Sequence, residues 1–245
     1  MFEYFDGIRK ILSTVEKKES ENILKAVDMF YSAIKNKNSI FVFGASHAGI
    51  LTQELFYRAG GLMSINPIFD ESLQVSVDPV TKTSAVEKLE GYGELIANKT
   101  PFSSDDILLV HSVSGRNPVI IDLVIKAREA GVKIIGLTNL EYSRSVSSRH
   151  SLNKNLYEYC DLVIDNHGHI GDGMISIPGI EQRVAPSSTA IGATIVNTVV
   201  AETVKKIVES GVDIPPIFYS ANLDGGVEKN EKNIKEFMDT IHYKF

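Results

Sequence analysis

Residues 39–49 read Ser39-Ile40-Phe41-Val42-Phe43-Gly44-Ala45-Ser46-His47-Ala48-Gly49. The apolar, partly β-branched run from Ile40 to Phe43 has lysine and asparagine before it and glycine after it. That is the pattern of a strand buried on both faces. A turn of small residues follows, then helical spacing over residues 51–59 up to the Gly60-Gly61 pair, then a second strand over 62–69 with Pro67 near its end. Strand, small-residue turn, helix, strand is the repeating unit of a parallel α/β sheet.

The unit recurs downstream. Residues 83–98 read as a helix weakened by Gly91 and Gly93, and 107–110 as an apolar strand. Ser112-Val113-Ser114-Gly115-Arg116-Asn117-Pro118 follows, with Asn117 and Pro118 suited to the cap and first position of a helix that runs to Gly131. Strands are expected over 133–137 and 162–164, separated by a loop carrying Ser143, Ser145, Ser147 and Ser148. Residues 166–183 hold four glycines and Pro178 without a period and read as one long, specific loop. Pro186-Ser187-Ser188-Thr189 then opens an apolar helix over 190–209, its hydroxyl residues read as caps.

Upstream, Ile8, Ile11, Leu12 and Val15, then Ile23, Ala26, Val27 and Phe30, recur three or four apart. The charged stretch 16–22 predicts a polar turn between two helices, with Ser20 capping the second. Residues 228–241 read as a surface helix. The expected architecture is one domain over residues 1–245: N-terminal helices in 5–36, a doubly wound α/β core in 39–211 with right-handed crossovers, and a tail from 212.

Composition narrows the function. The chain has 245 residues, 43% of them hydrophobic, a net charge of −6 and a single cysteine, Cys160. A lone thiol excludes an internal disulfide and a cysteine-rich metal site and points to a reducing compartment, the cytoplasm. The N-terminus lacks a secretory apolar stretch, and no apolar run approaches a membrane span. An acidic chain without a basic segment has no footprint for nucleic acid.

In sheets of this kind ligands bind beyond the carboxyl ends of the strands. Two turns there are small and hydroxylic: Gly44 to Gly49, and Ser112 to Gly115. Small residues let backbone N–H groups approach an anion and serine hydroxyls donate to it, so these turns, with Thr138 after the next strand, point to phosphate. The first turn lacks the middle glycine of a dinucleotide site, and no Gly-Lys-Ser/Thr triplet marks a P-loop. His167-x-His169 with Asp172 has the composition of a metal site, but its glycines equally suit a loop that folds over a substrate or meets a neighbouring subunit. No cofactor or metal is expected.

The segment from Ile40 to Gly49, the stretch Glu54-Leu55-Phe56-Tyr57-Arg58-Ala59-Gly60-Gly61, the Ser-x-Ser-Gly turn at Ser112 and the Gly-x-Thr strand end at Gly136 to Thr138 together resemble SIS (sugar isomerase) domain proteins, in particular the UPF0309-type branch. The likeness runs from about Tyr4 to beyond Asn222. It implies the SIS fold, a flavodoxin-like parallel five-stranded sheet flanked by helices. It also implies a sugar-phosphate ligand whose phosphate meets Ser112, Ser114 and Asn117, with Gly115 and Thr138 in the same surroundings and Ser46 and His47 near the sugar. One departure stands out: the Gly-x-Gly-x-Ser pattern of relatives has Ser46 at its second glycine and Ala48 at its serine. Ser46 offers a hydroxyll in place of the lost one, while its Cβ restricts the turn.

Isomerisation between aldose and ketose needs a base that moves a proton between neighbouring carbons and a group that opens the ring. Glu54, about two turns along the first crossover helix, is where the resemblance places a catalytic glutamate; the plain reading is a surface residue paired with Arg58 at i+4. His47 and His169 are candidates for ring opening. An amino-sugar or heptose phosphate isomerase, a non-catalytic phosphosugar sensor and an etherase for muramic-type sugar phosphates all fit. The apolar helices near both ends predict a homodimer or tetramer.

Overall fold

The structure is a computed structural model and describes residues 2–212 and 214–243. Five parallel strands form the sheet: β1 (Ile40–Gly44), β2 (Ile65–Pro67), β3 (Ile107–His111), β4 (Lys133–Thr138) and β5 (Leu162–Asp165), in the order β2-β1-β3-β4-β5. This is the flavodoxin-like order, whose direction of winding reverses between β1 and β3. The register runs Val42 beside Leu109, Leu109 beside Ile135 and Ile135 beside Leu162.

Alternation along the strands sends side chains into two cores. Ile40, Val42, Leu109, Ile135 and Leu137 face α1 (Glu3–Asn36), α2 (Ile50–Leu55) and α7 (Ser188–Glu209). Phe41, Phe43, Leu108, Val110 and Ile134 face α4 (Tyr92–Lys99) and α5 (Pro118–Glu129). Burying each such chain contributes about 1.5–3 kcal/mol, enough for strands of five residues to persist between helices.

The expected polar turn near residue 19 is absent, and α1 is one helix of 34 residues. Its buried stripe is Ile11, Val15, Glu19, Ile23 and Val27, at steps of four, so a glutamate fills a core position. The helix expected over 51–59 stops at Leu55, where the Phe56 and Tyr57 rings turn aside onto Phe69, Tyr243 and Phe218. The strand expected over 62–69 is reduced to Ile65–Pro67, with Leu62 bridging to Ile217 instead. Gly91, at φ +83°, divides the helix expected over 83–98 into α3 (Thr81–Val86) and α4.

Two stretches read as loops carry structure. Asn139 caps a short helix, α6 (Leu140–Ser145), by accepting from the Tyr142 N–H at 2.7 Å. Residues 166–183 contain β6 (Gly173–Ile175), which pairs antiparallel with β7 (Val184–Pro186). The tail forms α8 (Gly226–Glu236) but is no free surface helix. Asn66 donates to the Thr240 carbonyl at 2.8 Å and accepts from the His242 N–H at 2.7 Å, and the His242 ring stacks on Phe41. The tail therefore covers the β2 edge, which would otherwise offer unpaired backbone groups.

Candidate functional site

The reversal of winding leaves the turns after β1 and β3 on either side of a crevice, and both carry the residues singled out above. The β3 turn is the more completely built. Ser112 continues the ladder through its N–H to the Leu137 carbonyl at 3.0 Å, and its hydroxyl accepts from the Gly115 N–H at 3.2 Å. That closure needs φ +61° at Gly115, where a Cβ would also stand 3.1 Å from Leu156 Cβ and Ser143 Oγ. Ser114 is half-buried at the crest of the turn, and among the described residues its hydroxyl has no protein partner. Pro118 follows as the first residue of α5.

Thr138 lies behind this turn and does not face the crevice. It is fully buried and donates its hydroxyl to the Val113 carbonyl at 3.1 Å, so it shapes the turn from beneath. Asn117 occupies the cap position of α5 without making the side-chain cap, because its Oδ1 accepts from Arg149 at 2.7 Å. Glu87 completes this corner. Burial pushes its carboxyl above the usual glutamate range, against the opposing pull of Asn117, Lys88 and Arg149. Neither Glu87 nor Arg149 carries a motif: each reaches the turn from a separate loop, so only the folded chain joins them.

Across the crevice, Ser46 has φ +55°. The backbone there has the left-handed conformation that a glycine would adopt without strain, as the departure at this position suggested. Its hydroxyl lies 3.4 Å from that of Thr83. His47 is exposed. His111 ties the two turns together, its Nδ1 donating to the Ala48 carbonyl at 3.0 Å. Complete burial lowers the pKa of this imidazole and so favours its neutral form.

Glu54 stands apart from the turn. Its carboxylate pairs with Arg58 and accepts from Asn197 Nδ2 at 2.9 Å, on the side of α2 that meets α7. Asn197 lies nine residues beyond Ser188 in α7, about 13 Å along the helix from its N-terminus. The i+4 pair with Arg58 is thus present, with Asn197 of α7 as a further partner.

At the end of β5 the two histidines part company. His167 Nε2 lies 2.9 Å from Glu19 Oε1, and its backbone N–H donates to Asp165 at 2.9 Å, so it anchors α1 to the sheet. His169 is half-buried on the loop above. Asp172 caps α7: it accepts from the N–H groups of Ser187 at 3.2 Å and Ser188 at 2.9 Å, and from the Ser188 hydroxyl at 2.5 Å. The α7 start is therefore capped by Asp172 and not by its own serines. Among the described residues no group of three or more His, Cys, Asp or Glu side chains is placed to hold a metal ion, and no helix is long and apolar enough to cross a membrane.

The family model for the SIS domain matches residues 3–139, which spans α1, the β1 turn, the β3 turn and β4. The chain belongs to the SIS domain family. A UPF0309 protein of Oceanobacillus iheyensis is 47% identical over 243 residues, covering 99% of this chain and 98% of that one. One from Shouchella clausii is 45% identical over 241 residues, covering 98% of each. Among solved structures, a phosphoheptose isomerase from Francisella tularensis superposes with a TM-score of 0.55 at 15% identity, covering 82% of this chain and 94% of its own. The phosphoheptose isomerase of Neisseria gonorrhoeae gives a TM-score of 0.51 at 14% identity, covering 84% and 95%. These two show that the fold is shared with phosphoheptose isomerases.

Proposed function

We propose that this SIS protein binds a sugar phosphate and interconverts its aldose and ketose forms, working in the cytoplasm as a single-domain chain within a homo-oligomer. The observation that carries the reading is the β3 turn: a glycine-closed Ser112–Asn117 loop at the start of a helix, with the Ser114 hydroxyl free at its crest. Backbone N–H groups and hydroxyls in that arrangement hold a phosphate without a cluster of lysines. Ser112, Ser114, Gly115 and Asn117 are assigned to the phosphate, Thr138 to the floor beneath them, and Ser46 and His47 to the sugar across the crevice. The phosphoheptose isomerases that share the fold act on a sugar phosphate, as their names state, and this supports the ligand class.

Glu87 favours an enzyme over a sensor. A carboxyl beside the phosphate turn whose proton is held more tightly than usual is suited to passing that proton between neighbouring carbons. Glu54 is retained as the competing base, and His47 and His169 as the groups for ring opening.

Thermal-shift titration with sugar phosphates of five to seven carbons tests the binding, and exchange of the C2 hydrogen with deuterated solvent, followed by NMR, tests the chemistry. Stabilisation by a phosphosugar that disappears in Ser114→Ala supports the phosphate assignment; full stabilisation of that variant removes it. Loss of exchange in Glu87→Gln with binding retained assigns the base to Glu87, whereas loss in Glu54→Gln alone assigns it to α2. Binding without exchange in the unaltered protein identifies a sensor.

A further inference from the structure

An arginine from a distant loop is fastened to the phosphate turn, and none of the functions above uses it. Arg149 lies 32 residues beyond Asn117, yet its Nη1 donates to Asn117 Oδ1 at 2.7 Å and its backbone N–H to the Arg116 carbonyl at 2.9 Å. The Leu156 N–H donates to the Gly115 carbonyl at 2.8 Å, so residues 149–156 are pinned to the turn at both ends. The Arg149 side chain is exposed. A guanidinium has five N–H donors, and beyond the one given to Asn117 the rest have no protein partner among the described residues. Arg9, Arg58 and Arg128 each meet an aspartate or glutamate, whereas Glu87 shares the corner with Arg149 but forms no ion pair with it. A cation beside Asn117 also stands at the positive end of the α5 dipole, where an anion is favoured and a cation is not.

The position is held from below. His150 and Asp122 form a buried pair, their side chains 7% and 10% exposed, with Nε2 2.9 Å from Oδ1. The Leu152 N–H donates to His150 Nδ1 at 3.1 Å, which places the proton of the neutral ring on Nε2, directed at Asp122. The second oxygen, Asp122 Oδ2, accepts from the Gly91 N–H at 2.7 Å, and Glu90 accepts from the Ser151 N–H at 2.6 Å. One carboxylate on α5 therefore fastens both the stretch that carries Arg149 and the stretch that carries Glu87 to the helix that begins at the turn. The backbone on either side of Arg149 is already ordered, so a ligand that meets the guanidinium has only the side chain to immobilise.

We propose that Arg149 is a ligand of the phosphate held by the Ser112–Asn117 turn, with Asp122 and His150 as its positioning residues. The inference rests on the phosphosugar reading above and narrows its substrate class. A guanidinium takes two phosphate oxygens side by side. A phosphate monoester has a third terminal oxygen for the N–H and hydroxyl donors of the turn, whereas a diester has only two. The site therefore selects sugars with a terminal phosphate over sugars linked through a phosphodiester.

Calorimetric titration of the full chain with inorganic phosphate, ribose 5-phosphate, fructose 6-phosphate, sedoheptulose 7-phosphate and UDP-glucose tests it, with the urea midpoint of each variant as the check on folding. In Arg149→Ala the Kd of the phosphosugar and that of inorganic phosphate should rise by a common factor of about ten or more. Arg149→Lys keeps the charge without the fork and should recover only part of the loss. An unchanged phosphosugar Kd in Arg149→Ala overturns the assignment, and UDP-glucose binding as tightly as the phosphosugar overturns the selection of monoesters. Positioning is read from His150→Gln in two backgrounds. Weaker binding that disappears when Arg149 is already alanine marks a residue acting through Arg149; an equal loss in both backgrounds, or no loss in either, overturns that role. Ser114→Ala separates the two readings: if it abolishes binding while Arg149→Ala does not, the turn stands and Arg149 falls, and an unaltered protein that binds none of the phosphates overturns both.

Discussion

Replacing Glu19 with alanine should destabilise the fold far more than a surface position on a helix warrants. The side chain is 7% exposed and makes three hydrogen bonds: His167 Nε2 at 2.9 Å, Asn22 Nδ2 at 2.9 Å and the Asp165 N–H at 3.3 Å. A hydrogen bond to a charged group contributes about 1.5–3 kcal/mol, and a buried N–H left without an acceptor costs about 1–3 kcal/mol. The 3.3 Å contact is weak, Asn22 is free to turn outward, and His167 is 18% exposed and can take water, so the sum falls well below the maximum. Alanine also recovers a few tenths of a kcal/mol of helix propensity. The expected loss in Glu19→Ala is about 2–3 kcal/mol, which for a chain of this size lowers Tm by roughly 5–10 °C. Glu19→Gln keeps the shape and one acceptor and should lose about 1 kcal/mol. Urea unfolding followed by circular dichroism measures both differences at unchanged m. A Glu19→Ala protein within about 0.5 kcal/mol of the unaltered one, the usual scatter at plain surface sites, would show that α1 is held by its apolar stripe alone.

Cys160 is half-buried, packed against Gly136, and donates to the Leu156 carbonyl at 3.2 Å; burial pushes its thiol up to about 12, so a disulfide reagent should modify the native protein far more slowly than the unfolded one, and equal labelling rates would contradict its placement. Glu87 has a raised folded-state pKa, so its contribution to stability is greatest when it is protonated and is lost as pH rises through that value. Glu87→Gln should therefore raise the urea midpoint at pH 7, with the gain vanishing toward about pH 4, and a lower midpoint at pH 7 would mean that the carboxylate is favourably held there.

The parts of the fold that could be read from sequence are those where one requirement dominates. β1, β3 and β4 are buried on both faces, and continuous apolar runs such as Ile40 to Phe43 have few other uses. Gly131, at φ +84°, ends α5 where a glycine just past a helix was expected. Readings failed where a tertiary contact reversed a local preference. The stretch 16–22 is polar enough for a turn, but Glu19 finds partners at the end of β5 and the helix continues through it. The strands β6 and β7 have three residues each, too few for a period, and exist because they pair with one another. The site shows the same division. The Ser112–Asn117 turn was legible because its residues are consecutive, whereas Glu87 and Arg149 are brought to it from separate elements and leave no motif.

Strand order explains why the two turns work as a pair. The crossover after β1 runs to the α1 and α7 face, and the crossover after β3 begins α5 on the other face, so the chain leaves the sheet in opposite directions on either side of the crevice. The β1–β3 ladder pairs Gly44 with His111 at the base of the two turns, and His111, the last residue of β3, adds a side-chain connection by donating across to Ala48. A charged imidazole in that position would carry a second N–H into a buried space, where Nε2 has no partner. Burial lowers the pKa of the ring and so favours the neutral form, whose single proton on Nδ1 makes the bond to Ala48. The two turns are thereby tied to the packed core beneath them.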